Sequence, residues 1–305
     1  MLIDLAQLRT FVAVAEEQHL TRAAERLHIS QSAASAHVRA VEETLDTQLF
    51  VRTNRNLELT PAGELLFRKA KQLLNEAVLF SSFAREMRGR VQGHLVVGSS
   101  SDLSANRLGD VISEMRAQHP LVNVDLRVRP SSGSRQGLKS GDLDVAVLLD
   151  RPTDVALEYH ELTKVQFRIV GPAAWKSQIE SADWESLAQL PWITPSDEGM
   201  AFSAILHELF GARGLTLNSV IGFDNATFAR AMVQGGAGLT LVRLEHAIDG
   251  EREGRLAVSP LVHAEYSLHI AHLASRRDDP LIRAFVGAAG TVWPALKNSL
   301  DSVRS

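Results

Sequence analysis

Along the first sixty residues, apolar positions recur at helical spacing. Leu5, Leu8, Phe11, Val12 and Ala15 predict an amphipathic helix. Between Thr21 and Arg55 two shorter helical patterns follow, joined by His28-Ile29-Ser30. In the second of them Ala34, Val38, Val41 and Leu45 stand at i, i+4, i+7 and i+11, so one stripe faces inward. The opposite face carries Ser32, Ala36 and Arg39, flanked by Gln31 and Ser35, and Ser30 is placed to cap it. Ala23 and Ala24 allow the preceding helix to cross closely, and Ile29 plugs the turn. Leu49-Phe50-Val51-Arg52 and Leu57-Glu58-Leu59 then flank a polar tip, Thr53-Asn54-Arg55-Asn56, as the two sides of a wing. The layout is that of a winged helix-turn-helix, whose second helix presents its first turns to the major groove of DNA.

Thr60-Pro61 supplies a cap and a proline at the first helical position, and a long helix is expected to run to about Arg90. Leu66, Ala70, Leu73, Ala77, Phe80, Ala84 and Met87 alternate in steps of four and three along it. This heptad seam suits a partner helix, and Leu66, Leu73, Phe80 and Met87 are its candidate dimerisation contacts. The alternative is that the stripe packs on its own domain. Beyond Gly93 the pattern changes to β-rich runs at His94–Gly98, Val122–Val128, Leu143–Leu149, Val165–Val170, Val220–Phe223, Gly238–Val242 and Leu268–Leu273. Helical patterns such as Leu103–His119, Ala201–Arg213 and Asn225–Gly235 fall between them. An α/β fold of mainly parallel sheets follows. A segment of this size divides readily into two lobes around a ligand crevice.

Charge refines this picture. The whole chain carries 32 Lys and Arg against 36 Asp and Glu, net −4, so any nucleic-acid binding must come from local placement. Residues 1–90 hold 12 basic and 11 acidic side chains, net +1; residues 91–305 hold 20 and 25, net −5. The chain has no cysteine, which excludes disulfides, thiolate metal sites and thiol redox switches. Charges at Asp4, Arg9, Glu16 and Glu17 are incompatible with a signal peptide, and no apolar run approaches the roughly 20 residues that span a bilayer. A soluble, cytoplasmic protein is expected.

With these segments in view, the chain resembles LysR-type transcriptional regulators over its whole length. The residues that carry the likeness are Leu8 to Ala15, Thr21-Arg22-Ala23-Ala24-Glu25-Arg26-Leu27, Ile29-Ser30-Gln31-Ser32-Ala33, Leu49-Phe50-Val51-Arg52 and Leu59-Thr60-Pro61-Ala62-Gly63. Looser matches are Gly141-Asp142-Leu143-Asp144-Val145-Ala146 and the stretch Val233 to Leu241. The family commonly has Pro at the position of Ser32, Arg at that of Ala36 and Gly at that of Asp46. The first two departures fall on the reading face; Asp46 still tolerates a left-handed backbone. The resemblance implies an N-terminal all-α winged helix-turn-helix (1–60) and a linker helix (61–90). A two-lobed α/β effector domain like a periplasmic binding protein follows (91–305), with one lobe at about 91–163 and 267–305 and the other at about 164–266. It further implies a dimer of dimers on double-stranded operator DNA, contact with RNA polymerase, and control by a small-molecule effector.

Gln31, Ser32 and Ser35 are candidate base-edge contacts, Gln31 being able to pair with adenine through two bonds, and the Ala36 methyl can meet a thymine methyl. His37, Arg39, Arg52 and Arg55 are candidates for phosphate contacts that set register. The plain alternatives are a solvated helix face and an Arg39 paired with Glu42 or Glu43. In the α/β segment, Ser99, Ser100 and Ser101 stand where a strand hands over to a helix, a position that favours a small carboxylate, although Asp102 would oppose an anion. Ser131, Ser132 and Ser134 follow the second strand in the same topological position. The resemblance places both loops on one wall of the effector cleft, with Ser196, Asp197, Phe202, Asn225, Ala226 and Thr227 on the other; taken singly, these are also ordinary helix caps. The 11 histidines suggest no metal, because His269 and His272 in a strand project to opposite faces. No nucleophile elbow or phosphate loop occurs, so no catalytic residue, enzyme activity or cofactor is expected. The rival reading is a small-molecule binding protein whose helix-turn-helix contacts protein; steep salt dependence of DNA affinity would separate the two.

Overall fold

A computed structural model of the chain describes residues 3–52, 57–86, 91–100, 105–149 and 151–296. It forms two compact units, Met1–Arg88 and Gly89–Ser305. Within the first unit α1 (Leu5–Glu17), α2 (Leu20–Leu27) and α3 (Gln31–Leu45) precede the short antiparallel pair β1 (Phe50–Arg52) and β2 (Leu57–Leu59), and α4 (Pro61–Glu86) closes it. Leu8, Phe11, Val14, Ala23, Val38, Val41, Leu49, Phe50 and Ala70 form its core. Phe11 stands edge-on to both Phe50 and Phe67, so one ring ties α1 to the wing and to α4. Asp4 caps α1, and Ser30 Oγ accepts the Ala33 N–H at 3.1 Å to start α3. His28 and Asp46 end α2 and α3 with φ of 56° and 47°, the left-handed conformation expected of Asp46. At the head of α4, Gly63 lies so close to the Leu49 carbonyl that a Cβ there would sit 2.2 Å from its oxygen.

The apolar stripe of α4 divides in two. Ala70 is buried and Leu66, Phe67 and Leu74 pack on the unit's own core, whereas Leu73 and Phe80 are 49% and 77% exposed. Packing on its own domain thus applies to the first two turns of the seam. Met87 lies outside the described residues.

The second unit runs β3 (Gly93–Ser99), α5 (Leu108–Gln118), β4 (Val122–Val128), α6 (Ser131–Ser140), β5 (Val145–Leu149) and β6 (Leu157–Pro172). There follow α7 (Lys176–Ser181), α8 (Trp184–Gln189), β7 (Trp192–Pro195), α9 (Ala201–Leu209), β8 (Ser219–Phe223), α10 (Ala226–Gln234), β9 (Thr240–Arg243), α11 (Leu244–Arg252), β10 (Leu256–Val258), β11 (Ala264–Leu273) and α12 (Pro280–Val292). Seven strands make one sheet in the order β10-β6-β11-β5-β3-β4, with β9 also on β6, while β7 and β8 pair separately. The expectation of mainly parallel sheets needs correction. Among the described strands β3–β4, β3–β5 and β7–β8 pair parallel; β6 pairs antiparallel with β9, β10 and β11, and β11 antiparallel with β5. The reason is that β6 and β11 are long and run beside each other in opposite directions, joining the two lobes of a single curled, mixed sheet.

One lobe is built on β3, β4 and β5. There α12 packs against α5 and β3, and Arg276 is held between Asp144 Oδ1 at 2.7 Å and Asp279 Oδ2 at 2.5 Å. Asp144 Oδ2 also accepts the Val96 N–H at 2.7 Å, so this buried cation has both carboxylates fixed around it. In the other lobe Val170, Ile193, Phe223, Ala229, Val233, Val242, Ala247 and Leu256 form a smaller cluster, while the largest core runs through both lobes, from Leu95 and Val97 to Trp192, Phe210 and Leu239. Among the described residues no helix is long and apolar enough to cross a membrane.

Candidate DNA-reading face and effector cleft

α3 turns its predicted stripe inward: Ala34, Val38 and Val41 are buried and Leu45 is half-buried. Gln31, Ser32, Ala36 and Arg39 are exposed together on the other side, and Ser35 is half-buried beside them. Ser32 Oγ lies 2.9 Å from the capping Ser30 Oγ, and Arg39 Nε donates to the Ser35 carbonyl at 3.3 Å, which lays the guanidinium along the helix. Arg39 forms no ion pair among the described residues. Glu42, one of its suggested partners, instead accepts the Leu49 and Phe50 N–H groups at 2.8 and 3.3 Å and so fastens the wing to α3. A hollow of about 440 Å³ opens between helix and wing, lined by residues that include Ser35, Arg39, Gln48 and Leu57.

His37 behaves differently from the arginines expected to act with it. Its Nδ1 lies 2.9 Å from Thr10 Oγ1, and that hydroxyl donates to the Ala6 carbonyl at 2.9 Å. A hydroxyl has one hydrogen to give, so the His37 Nδ1 carries the proton and the ring is oriented by α1. Only Nε2 is left to face a ligand. Arg52 ends β1; its side chain and the whole of Arg55 lie outside the described residues.

In the second unit a cavity of about 350 Å³ is lined by Ser100, Arg129, Ser131, Leu149, Asp197, Met200, Phe202, Asp224, Asn225, Ala226, Phe228 and Arg243, among others. That size is within the range of small-ligand pockets. Of the expected residues, Ser100, Ser131, Asp197, Phe202, Asn225 and Ala226 meet here. Ser131 Oγ donates to the Leu149 carbonyl at 3.2 Å, and Phe202 is steadied edge-on by Phe167 and Phe223. Ser132 sits at the rim, its N–H on the Gly199 carbonyl at 3.3 Å and its hydroxyl 3.5 Å from Asp197 Oδ2, a contact that joins the two walls.

The other expected residues lie elsewhere. Ser99 is buried behind the cleft, accepting from Asn106 Nδ2 at 3.2 Å. Ser134 is buried against Gly98, because α6 begins at Ser131 and carries residues 131 and 134 on one inward face. Ser196 is exposed with its hydroxyl over Gly222, and Asn225 Oδ1 caps α10 by accepting the Thr227 N–H at 2.9 Å. Thr227 itself turns toward Arg230 and His246. Ser101 and Asp102 lie outside the described residues.

Sequence reasoning missed the cleft's cations and their support. Arg243 is only 5% exposed, and its Nη2 donates at 2.5 Å to Asn106 Oδ1. Asn106, itself buried, extends Nδ2 to Ser99 and to Ser100 at 3.3 Å. The chain Ser99–Asn106–Arg243 therefore fixes the guanidinium at the end of β9 and ties it to the end of β3. A signal was present: an arginine closing the apolar run Thr240-Leu241-Val242 has no place in a buried strand unless it is paired or faces a polar site. Arg129, directly before Pro130, also lines the cavity, with its Nη1 close to Gly137 of α6.

Comparison with known proteins agrees with both halves of this geometry. Residues 5–64 match the bacterial regulatory helix-turn-helix protein family of lysR type, and residues 88–294 match the LysR substrate binding domain. The HTH-type transcriptional regulator IlvY of Escherichia coli is 27% identical over 309 residues, covering 97% of this chain and 99% of that one. Among solved structures, a full-length OxyR variant from Pseudomonas aeruginosa superposes with a TM-score of 0.73 at 24% identity, covering 95% of each chain. CbnR in complex with its target DNA superposes with a TM-score of 0.64 at 22% identity over 94% of this chain and 98% of that one. The chain belongs to the LysR family of DNA-binding transcriptional regulators.

Proposed function

We propose that this regulator reads its operator through the first turns of α3 and answers to a small anionic metabolite held between the lobes of its second unit. The observation that carries the first part is the joint exposure of Gln31, Ser32 and Ala36 at the start of a capped helix whose other face is fully used. Gln31 and Ser35 supply base-edge bonds, Ser32 and Ala36 set the preference of this member of the family, and Arg39, Arg52 and Arg55 hold phosphates. His37 contributes through Nε2 alone. The DNA-binding, linker and effector parts are assigned to residues 1–60, 61–90 and 91–305.

Pairing is assigned to the outer half of α4, from Leu73 through Phe80 to Met87, with Leu66 serving its own domain. Two such dimers on one operator, able to engage RNA polymerase, complete the regulatory assembly. In the cleft, Arg243 and Arg129 meet the carboxylate of the effector, Met200, Phe202 and Phe228 its apolar body, and Asp197 or Asp224 a donor group on it. An effector of this kind acts by binding one shape of the assembly more tightly than another, which changes the bend imposed on DNA.

Footprinting tests the DNA part. Gln31→Ala with Ser35→Ala is expected to abolish protection of the promoter while light scattering shows the oligomer unchanged. Equal protection by the double variant would remove α3 from the reading role.

A further inference from the structure

The lobe built on β3, β4 and β5 holds a cluster of donor groups that the regulatory reading does not use. His160 on β6 and His272 on β11 bring their Nε2 atoms to 3.0 Å, with the rings stacked at 5.2 Å between centroids. Glu158, two residues before His160 on the same strand, places Oε1 3.9 Å from His160 Nε2. One donor atom from each of the three lies within 4.8 Å of the others. We propose that Glu158, His160 and His272 form a binding site for a divalent transition-metal ion of the zinc class.

Three features support the assignment. First, His272 Nδ1 lies 2.9 Å from the Leu273 carbonyl, which can only accept; Nδ1 therefore bears the hydrogen and Nε2 presents a bare lone pair. An imidazole oriented in this way by a backbone carbonyl is the usual outer support of a metal-ligating histidine. Second, two ring nitrogens at 3.0 Å need a hydrogen or a cation between them. Replacing the hydrogen by zinc, with Zn–N bonds of about 2.0 Å in tetrahedral array, widens their separation only to about 3.3 Å. Third, Glu158 is divided between two tasks: Oε2 takes Arg277 Nε and Nη2, each at 3.0 Å, and leaves Oε1 on the histidine side.

The donor set also selects the ion. Two nitrogens and one carboxylate oxygen suit zinc, nickel or copper, whereas calcium and magnesium require several oxygens. Two arginines approach the cluster. Arg276 is neutralised by Asp144 and Asp279, and Arg277 by Glu158 itself. The fourth position is left to water, and the bound ion would clamp β6 to β11 at the end where both strands belong to the β3–β4–β5 lobe.

His269, the partner that adjacency in sequence suggests for His272, is not part of this site. It lies edge-on to Tyr159, 4.0 Å from Glu161.

Calorimetric titration of the full-length chain, stripped with chelator and then supplied with zinc chloride, tests the proposal. One ion per chain is expected, with cobalt(II) giving the visible absorption of a four-coordinate site that zinc bleaches. Glu158→Gln and His160→Asn should each weaken zinc binding at least tenfold while leaving the unfolding transition of the metal-free protein nearly in place. These two are used because His272 is fully buried and its replacement could unfold the lobe. Zinc bound equally by wild type and both variants would assign the binding to other histidines and overturn the site; so would an absence of binding by wild type.

Discussion

Asn106 is the strongest single test of how the cleft is held. Replacing it with alanine removes one acceptor of the buried Arg243 guanidinium and the two donor contacts to Ser99 and Ser100. A hydrogen bond to a charged group contributes about 1.5–3 kcal/mol, and the Ser99 contact about 1 kcal/mol more; the Ser100 contact is partly exposed and adds less. Arg243 keeps Glu245 at 3.8 Å, which softens but does not replace the loss. The expected cost is about 3 kcal/mol. For a unit of some 200 residues that lowers the thermal midpoint by about 6–12 °C. The assay reads this unit alone, because the four tryptophans, Trp175, Trp184, Trp192 and Trp293, all belong to Gly89–Ser305 and none to the DNA-reading unit. Arg243→Met leaves the Asn106 carbonyl unpaired, and the double variant should recover about 1.5–3 kcal/mol relative to the sum of the singles. A midpoint within about 2 °C of wild type for Asn106→Ala, or strict additivity in the double variant, would refute the claim that the three residues act as one support.

Other outcomes follow from features already described. Leu73→Glu with Phe80→Glu should yield monomers by light scattering, since both side chains are exposed on the outer half of α4; retained dimers would move the interface elsewhere. Gly63→Ala drives a methyl against the Leu49 backbone carbonyl, which no rotamer relieves. It should cost at least about 1–3 kcal/mol, read by far-ultraviolet circular dichroism because tryptophan emission is silent there. Asp154 is held below the usual carboxylate range by Lys139 and then by the Ala156 N–H. Its stabilisation is therefore present above the unfolded value of about 3.8–3.9 and lost as pH falls through the lower folded value. Asp154→Asn should flatten the acid limb of the stability profile below about pH 4, and an unchanged limb would remove the group from that role.

The helix-turn-helix was legible because its signals are local: a stripe at 3.6-residue spacing, Ser30 before Gln31, a polar tip between two apolar triplets. The seam of α4 was legible as a stripe but not in its division, since only the tertiary core determines where Leu66 and Ala70 stop being shared and Leu73 becomes exposed. In the second unit the apolar run Val122–Val128 coincides with the observed strand, whereas Val165–Val170 is only part of a strand that begins at Leu157. Its first half breaks the alternation of polar and apolar residues at His160-Glu161 and is made a strand by pairing with residues more than a hundred positions away. The same distance hid His160 as the partner of His272 and Asn106 as the partner of Arg243. In the cleft, the serine loops are neighbours of the site, as their position after the strands implies. One turn of helix at α6 then decides between them, sending Ser131 and Ser134 inward and Ser132 to the rim.

The chain's double passage between lobes also has a consequence for biosynthesis. It leaves the first lobe through β6 and returns through β11, so the second lobe is an insertion within the first. β5 waits for Leu268 to Ala271, and α5 for α12, until nearly the whole polypeptide has been made. A ribosome-bound chain that has emerged only to residue 260 lacks the whole of β11, so β5 keeps an edge unpaired that the finished sheet covers. Such non-local closure is slow, and it makes the last thirty described residues a folding requirement of the lobe that was translated first.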